Sequence, residues 1–355
     1  MIKVLVLGAG GSPAINFVKA LKMVKPPLGY GRLLTEEWAE KWKPITYGID
    51  TNHFNLEVAN TDYKYFLHSY STKLEKLNEL IEREEINFVH AQPDNEVLWL
   101  AENKHKIKAH TLVPDEKVVR KCQNKIVCNI LLKSRGVPVP ESSSFSSLGD
   151  INFPVWFRIA KGQGGYGSLL IDNVGLLFAW RNYWRKKGIE DEEMMISEYL
   201  PGNEVSWLSL WKSGKLITSQ ARTREAWLKP ANSPTGISGT TAVQRTIHSK
   251  NVNKIGYDTI HAIDGKPNGI YVVDMKENKL GKFHVTEINC GRFFTTSDFI
   301  PHLGVNIPYI YVLAGLNMPL PKVKKYNCVP EGFYWIRVLD AESKVFNGKW
   351  TSQEL

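Results

Sequence analysis

Glu287 and Asn289 lie two residues apart in the run Phe283-His284-Val285-Thr286-Glu287-Ile288-Asn289. That spacing puts both side chains on one side of an extended strand. A second strand candidate over residues 269–275 carries Asp274 and can lie beside the first, joined through a turn near residues 277–279. Three oxygen donors so placed, completed by water and phosphate oxygens, suit the hard octahedral coordination of Mg²⁺. Arg292, just beyond, supplies a cation for a phosphoryl group in transfer. The competing reading is a solvated face of an antiparallel sheet, and residue types alone leave both readings open.

Residues 155–171 form the second stretch with chemistry in it. Gly162, Gly164, Gly165 and Gly167 separate two apolar runs, and Arg158 and Lys161 stand on the approach. Glycine lets a backbone come close to an anion, and consecutive free N–H groups can cradle phosphate. By letters, Gly162-x-Gly164-x-x-Gly167 matches the dinucleotide fingerprint, but that motif needs a helix after the turn, and a strand comes next here. No Gly-Lys-Ser/Thr closes the loop, which excludes a Walker loop. Two readings stand: a flexible hairpin tip, or a flap closing over a nucleoside triphosphate.

The elements that must position these residues can be read from the hydrophobic pattern. Residues 2–7 are continuously apolar, as in a strand buried on both faces of a parallel sheet. Next come a glycine turn, Pro13 at a helix start and an amphipathic segment over 14–24. Strands are expected at 45–49, 86–90 and 111–113, with helices at 73–84 and 97–108. This is a Rossmann-like unit without a dinucleotide site, since Pro13 occupies the third glycine position and the first acid, Asp50, comes too late. Asp50, Asp94 and Glu96 stand just past strand ends, where open α/β sheets bind ligands, although turn and cap chemistry favours the same residue types. Residues 26–43 read as a tryptophan-bearing insertion with a short helix over 33–41. Beyond residue 115, helices are expected at 116–122, 124–135, 175–187, 252–263 and 301–314. Strands are expected at 194–200, 205–211, 215–220 and 334–339, with Arg222 and Arg224 leading into a Pro-, Gly- and Ser-rich loop at 230–240.

Composition sets the outer limits. The 355 residues, 43% hydrophobic and 23% charged, describe a globular chain of two or three domains. The net charge of +9 favours anionic ligands; the basic clusters at 185–187 and 322–325 are too short and scattered to favour nucleic acid. Cys122, Cys128, Cys290 and Cys328 have no metal-ligand spacing, so reduced thiols are expected. No apolar run reaches the ~18 residues of a membrane span, and the N-terminus lacks a signal-peptide pattern. A cytoplasmic protein with no membrane partner is the expectation.

Taken in order along the chain, these motifs resemble the ATP-grasp superfamily, in particular its carbamoyl-phosphate-synthase-like branch. The resemblance runs to about residue 320 and implies an α/β fold that is α+β in its centre. A Rossmann-like pre-ATP-grasp domain (1–114) would precede a two-lobed ATP-grasp domain (115–325) with antiparallel sheets. Its first segment, 115–195, would include the glycine-loop lobe at about 140–195; the large metal-bearing lobe would be 196–325, and 326–355 a C-terminal extension. For the residues, it implies ATP phosphates on Lys125, Arg158 and the loop Gly162, Gly164, Gly165 and Gly167. Adenine would lie on Glu198-Tyr199-Leu200 and ribose on Glu204. Mg²⁺, or Mn²⁺ in its place, would lie on Asp274, Glu287 and Asn289. The segment Glu287-Ile288-Asn289-Cys290-Gly291-Arg292 is similar to the family's Glu-x-Asn-x-Arg with one extra residue, which makes Arg292, with Arg158, a catalytic candidate. Arg222, Arg224 and the 230–240 loop become candidates for the substrate, with Asp50 and Asp94. The implied activity is a carboxylate–amine ligase acting on a small-molecule carboxylate and an amine, with a homodimer allowed. A carbamoyl phosphate synthase component is disfavoured by the single ATP-grasp unit and the lack of a glutamine-hydrolysing Cys/His site. A non-catalytic nucleotide-binding module is disfavoured because every phosphate and metal position is filled.

Overall fold

A computed structural model of the chain describes residues 1–24, 43–68, 71–162, 164–228, 240–338 and 344–347. The insertion at 26–43 up to residue 42, with its expected helix, and nearly all of the 230–240 loop lie outside the described residues. The N-terminal part alternates strand and helix: β1 (Lys3–Leu7), α1 (Ser12–Lys22), β2 (Ile45–Asp50), α2 (His53–Val58), β3 (Tyr63–Phe66), α3 (Lys73–Glu84), β4 (Phe88–Ala91) and α4 (Asp94–Asn103). The four strands are parallel in the order β3-β2-β1-β4. Pro13 lies in the first turn of α1, as its missing N–H allows. The glycine turn after β1 is filled by protein: a Cβ on Gly10 would lie 2.0 Å from the Asn55 carbonyl oxygen of α2. The sequence pattern does not announce α2 and β3, which are short and largely exposed. The strand expected at 111–113 does not form. His110 alone makes a parallel bridge to Phe88, and Pro114 ends the segment by removing a donor.

Helices α5 (Glu116–Gln123) and α6 (Lys125–Ser134) lead to a four-stranded antiparallel sheet. It contains β5 (Ser142–Ser144), β6 (Val155–Ile159), β7 (Leu169–Ile171) and β8 (Met194–Glu198), in the order β5-β8-β6-β7, with α7 (Val174–Arg185) between β7 and β8. This lobe has its own core, built on Phe157, Ile171, Leu177, Trp184 and Met194.

The remaining strands form a seven-stranded antiparallel sheet. They are β9 (Glu204–Lys212), β10 (Lys215–Trp227), β11 (Thr241–Ile247), β12 (Gly269–Glu277), β13 (Phe283–Cys290), β14 (Tyr334–Ile336) and β15 (Lys344–Phe346), in the order β13-β12-β9-β10-β11-β14-β15. Arg222 and Arg224 therefore lie within a strand, which runs on to Trp227 and pairs with β11. The residues after 326 contribute two strands to this sheet. Between strands lie α8 (Lys250–Ile263), α9 (Phe299–His302) and α10 (Ile307–Gly315). The single helix expected at 301–314 is broken in two. Gly304 turns the chain at φ +93°, and the Asn306 side chain caps α10 by accepting from the Tyr309 N–H at 3.0 Å.

The parallel and seven-stranded sheets share cores. Val4 and Val6 of β1 belong to one apolar cluster with Leu208, Leu210 and Val272. The described cysteines are free, three of them buried. Helix α8 docks on β9 through two residues one turn apart. Asn253 accepts from the Trp207 indole at 2.9 Å, and a Cβ on Gly256 would lie 2.4 Å from the Trp207 ring. Trp207 is completely buried and cannot retreat. Gly256→Leu is accordingly expected to destabilise the chain by at least ~1–3 kcal/mol through overpacking, read as a lower urea midpoint; an unchanged midpoint would show that α8 does not depend on this close approach.

Candidate functional site

The two acids singled out by spacing do face each other. Asp274 of β12 pairs directly with Glu287 of β13 in the antiparallel register. Asp274 is buried and heavily engaged. Its Oδ1 accepts from Ser206 Oγ at 2.6 Å and from Arg224 Nη2 at 2.8 Å, and its Oδ2 accepts from Asn289 Nδ2 at 3.2 Å. Glu287 is half-buried, with Lys125 Nζ 3.3 Å from Oε1. Burial pushes the Glu287 carboxyl up, but Lys125, Arg158 and Arg292 together hold it below its ordinary value.

Lys125 reaches this position because Asn124 caps α6, accepting from the Ile126 and Val127 N–H groups at 3.1 and 3.2 Å. The cap makes Lys125 the first helical residue. Its ammonium also donates to the Gly162 carbonyl at 2.6 Å, so one cation ties the root of the glycine loop to the acid pair. The loop is the strand–turn–strand that the pattern implied: β6 pairs antiparallel with β7. Gly164, Gly165 and Gly167 all have positive φ, and a Cβ on Gly167 would strike the Ile159 side chain at 2.4 Å.

These residues surround one open cleft of ≈ 1240 Å³, counted to its solvent mouth. Arg158, Gly164, Gly165, Glu198, Tyr199, Leu200, Glu204, Arg222, Arg224, Asp274, Glu287, Asn289 and Arg292 all line it. Its lining combines the apolar Trp156, Tyr199, Leu200 and Met275 with the arginines and acids. Lys125 lies behind Glu287 in a small adjoining cavity, and Gly162 and Gly167 form the base of the loop.

The cations are held differently from one another. Arg158 is buried; Nη1 donates to the Thr286 carbonyl at 2.9 Å, and Nε has no hydrogen-bond partner among the described residues. Burial lowers the Arg158 pKa, and Glu287 partly offsets this. Arg292 is gripped by Asp94 and donates to Asn289 Oδ1. Asp94 thus joins the site from the start of α4. Asp50 stays apart at the ends of the parallel strands, where it accepts from the Gly10 and Asn52 N–H groups at 3.2 and 3.0 Å. Spacing alone misses Lys276, which donates to Glu204 at 2.7 Å, and Thr296, which accepts from Arg222 at 2.5 Å. The signal for Lys276 was available: it stands two residues from Asp274 on the same strand, hence on the same face.

Three solved structures share this architecture at low identity. The L-amino acid ligase from Bacillus licheniformis aligns with TM-score 0.68 and 11% identity over 94% of this chain and 79% of its own. The biotin carboxylase domain of the Hydrogenobacter thermophilus 2-oxoglutarate carboxylase, solved with MgADP, ADP and bicarbonate, gives 0.65 and 15% over 95% and 74%. N5-carboxyaminoimidazole synthetase from Staphylococcus aureus, complexed with ADP, gives 0.65 and 15% over 95% and 82%. No family model and no curated protein matches the chain. The likeness in structure shows that the chain has the ATP-grasp fold.

The depressed Glu287 pKa has a measurable consequence. Because the folded value lies below the unfolded one, the stabilisation is complete above the ordinary carboxylate range and is lost as pH falls through the folded value. Metal-free Glu287→Gln is therefore expected to melt below the wild type at neutral pH, with the gap closing in acid. A pH-independent gap would mean that the carboxylate charge contributes nothing there.

Proposed function

We propose that this chain is an ATP-dependent ligase that activates a carboxylate, or bicarbonate, as an acylphosphate for attack by an amine, releasing ADP and phosphate. The observation that carries this reading is the Asp274–Glu287 pair facing across β12 and β13 in a cleft that Arg158 and the glycine loop also line. The neighbours solved with ADP, MgADP or bicarbonate support the same ligand classes.

In this reading adenine lies along Glu198, Tyr199 and Leu200, with the apolar Trp156 and Met275 of the same cleft. Glu204 takes the ribose. Lys125, Arg158 and the loop Gly162, Gly164, Gly165 and Gly167 hold the phosphates. The free, buried Arg158 Nε is a donor in need of an acceptor, and a phosphate oxygen supplies one. Asp274, Glu287 and Asn289 offer only oxygen as metal-binding atoms, which fits Mg²⁺ or Mn²⁺. Among the described residues no cluster of three or more His, Cys, Asp or Glu side chains could hold an ion by itself. A site with two carboxylates leaves positions for water and phosphate, as Mg²⁺ prefers with nucleotides. Bound there, the ion would neutralise charge on the phosphate oxygens.

The chain's own residues carry the remaining work. Arg158 and Lys125 keep the γ-phosphate in line with the attacking carboxylate oxygen, and Arg292 meets charge developing between them. The P–O bond to ADP breaks as the acyl O–P bond forms; the amine then attacks the acyl carbon and phosphate leaves. The closed loop keeps water from the acylphosphate.

ADP and phosphate release in the presence of pooled carboxylates and amines tests the proposal. Glu287→Ala is expected to lower turnover by at least ~10²-fold, the scale of losing one transition-state charge partner, with the fold intact by circular dichroism. Gly165→Val, at φ +77°, is expected to reduce turnover more than ADP affinity, because the strain lies in the loop alone. ADP binding with no turnover in any pool would instead indicate a non-catalytic nucleotide module.

A further inference from the structure

Most of the charges in the cleft pair off. Glu287 faces Lys125, Asp94 holds Arg292, and Arg224 binds Asp274 and approaches Glu204, which also receives Lys276. Arg158, at the glycine loop, feels the charge of Glu287 but has no carboxylate within 4.0 Å among the described residues. Arg222 lines the same cleft and is only 5% exposed, yet among the described residues no carboxylate lies within 4.0 Å of it. The next segment of chain, Lys229-Pro-Ala-Asn-Ser-Pro-Thr-Gly-Ile-Ser-Gly239, contains no Asp or Glu and cannot supply a counter-charge. Burial first, and then Arg224, push the Arg222 guanidinium down to about 9, with Asp274 offsetting a part; it remains charged at neutral pH. A buried charge without a partner is costly, and the described residues leave this one without a counter-charge.

The guanidinium is nevertheless fixed. Nη1 donates to Thr296 Oγ1 at 2.5 Å, and Thr296 is itself held by Gln244 Nε2 at 2.7 Å. Arg222 also lies over the Phe294 ring, 3.7 Å from its centroid. With Nη1 engaged, the open edge is Nε and Nη2, and the buried Nε has no partner. Two parallel donors on one edge match the two oxygens of a carboxylate. Its place in the sheet is also right: Arg222 pairs with Ser206, Ser206 with Asp274, and Asp274 with Glu287, one row across four strands. Arg222 is therefore two strand spacings, roughly 10 Å backbone to backbone, from Asp274.

We propose that Arg222 anchors the carboxylate of the acyl substrate, bidentate on its Nε–Nη2 edge, while Arg224 and Arg292 remain occupied by the protein's own acids. The inference rests on the ligase reading. Of the two buried arginines without a carboxylate in reach among the described residues, Arg158 stands at the glycine loop and goes with Lys125 to the phosphates in that reading, which leaves the one charge of Arg222 for a monoanion.

The test uses the full chain as wild type, Arg222→Met, Arg222→Lys and Arg224→Met. Thermal unfolding is compared in sodium acetate, sodium chloride and sodium phosphate at equal ionic strength, and MgADP binding is measured by calorimetry. Acetate is expected to raise the wild-type melting temperature above that in chloride, and Arg222→Met to abolish this gain. In chloride, Arg222→Met should melt no lower than the wild type, whereas Arg224→Met should melt lower because Asp274 is left unpaired. MgADP affinity should stay within about twofold for both Arg222 variants. With the most active acid from a carboxylate panel, Arg222→Lys should raise the KM by roughly tenfold or more while kcat falls less. Equal stabilisation of wild type and Arg222→Met by acetate would overturn the proposal, as would a phosphate gain that Arg222→Met abolishes to the same extent as the acetate gain. Failure of the wild type to bind MgADP would sink the ligase reading, while the acetate comparison still reports on Arg222 as an anion site.

Discussion

Two carboxylates meeting across one strand pair set the terms for the rest of the cleft. Asp274 and Glu287 are brought together by the register of β12 and β13, and neither can be left bare in a half-closed site. The surrounding structure answers with cations from three directions: Arg224 from β10, Lys125 from the start of α6 and Arg158 from the small lobe. Each answer requires its own local device. Lys125 depends on the Asn124 cap, Arg224 on β10 running well past its hairpin with β9, and Arg158 on a strand paired with both β7 and β8. The acid pair thus links three otherwise separate elements into one site.

The same arrangement gives the glycine loop a resting position. Lys125 donates to the Gly162 carbonyl while facing Glu287, so the loop's root is attached to the acids through a single ammonium. A triphosphate entering the cleft would compete for that ammonium and offer it a stronger acceptor than a carbonyl. The loop's three left-handed glycines let it reshape without side-chain strain when that happens. The small lobe can move with it as a unit because its apolar core is its own.

Much of this was legible in the sequence, and the reason differs from element to element. The facing of Asp274 and Glu287 could be read because Glu287, Ile288 and Asn289 keep the strand period of two, although a bulge between Val285 and Glu287 interrupts the alternation before them. The glycine loop could be separated from a dinucleotide motif because the run after it, Leu169–Ile171, is apolar and short. The long β10 was not legible: Arg222, Thr223, Arg224 and Glu225 are polar, the β9 ladder ends at Thr223, and beyond it the strand rests on β11, which lies across an undescribed loop. Helix α2 and strand β3 carry too few buried residues to leave a pattern. The split of the last helix turned on Gly304 and the Asn306 cap, which stand inside a segment otherwise rich in apolar residues. The role of Asp94 was only half visible, because its partner Arg292 lies 198 residues away and no local rule joins them.

That last pairing bears on how the site distinguishes its arginines. Arg292 stands three residues after Asn289, one more than the pattern it resembles, and the extra residue is Gly291 at φ +78°. The glycine lets the chain turn under Pro114 and Val97, where a Cβ would lie 2.5 Å from the Val97 side chain. The turn delivers the guanidinium to Asp94 at the head of α4, so a residue of the parallel-sheet unit clamps a residue of the large sheet. An arginine already neutralised by a carboxylate has little charge left to attract a second one, whereas its remaining N–H groups can still meet charge that develops only during reaction. An arginine with no carboxylate within 4.0 Å among the described residues has the opposite bias, toward a ground-state anion. Arg292 and Arg222 sit in one cleft under these two conditions, and the difference between them is set by whether the fold has placed an acid within reach.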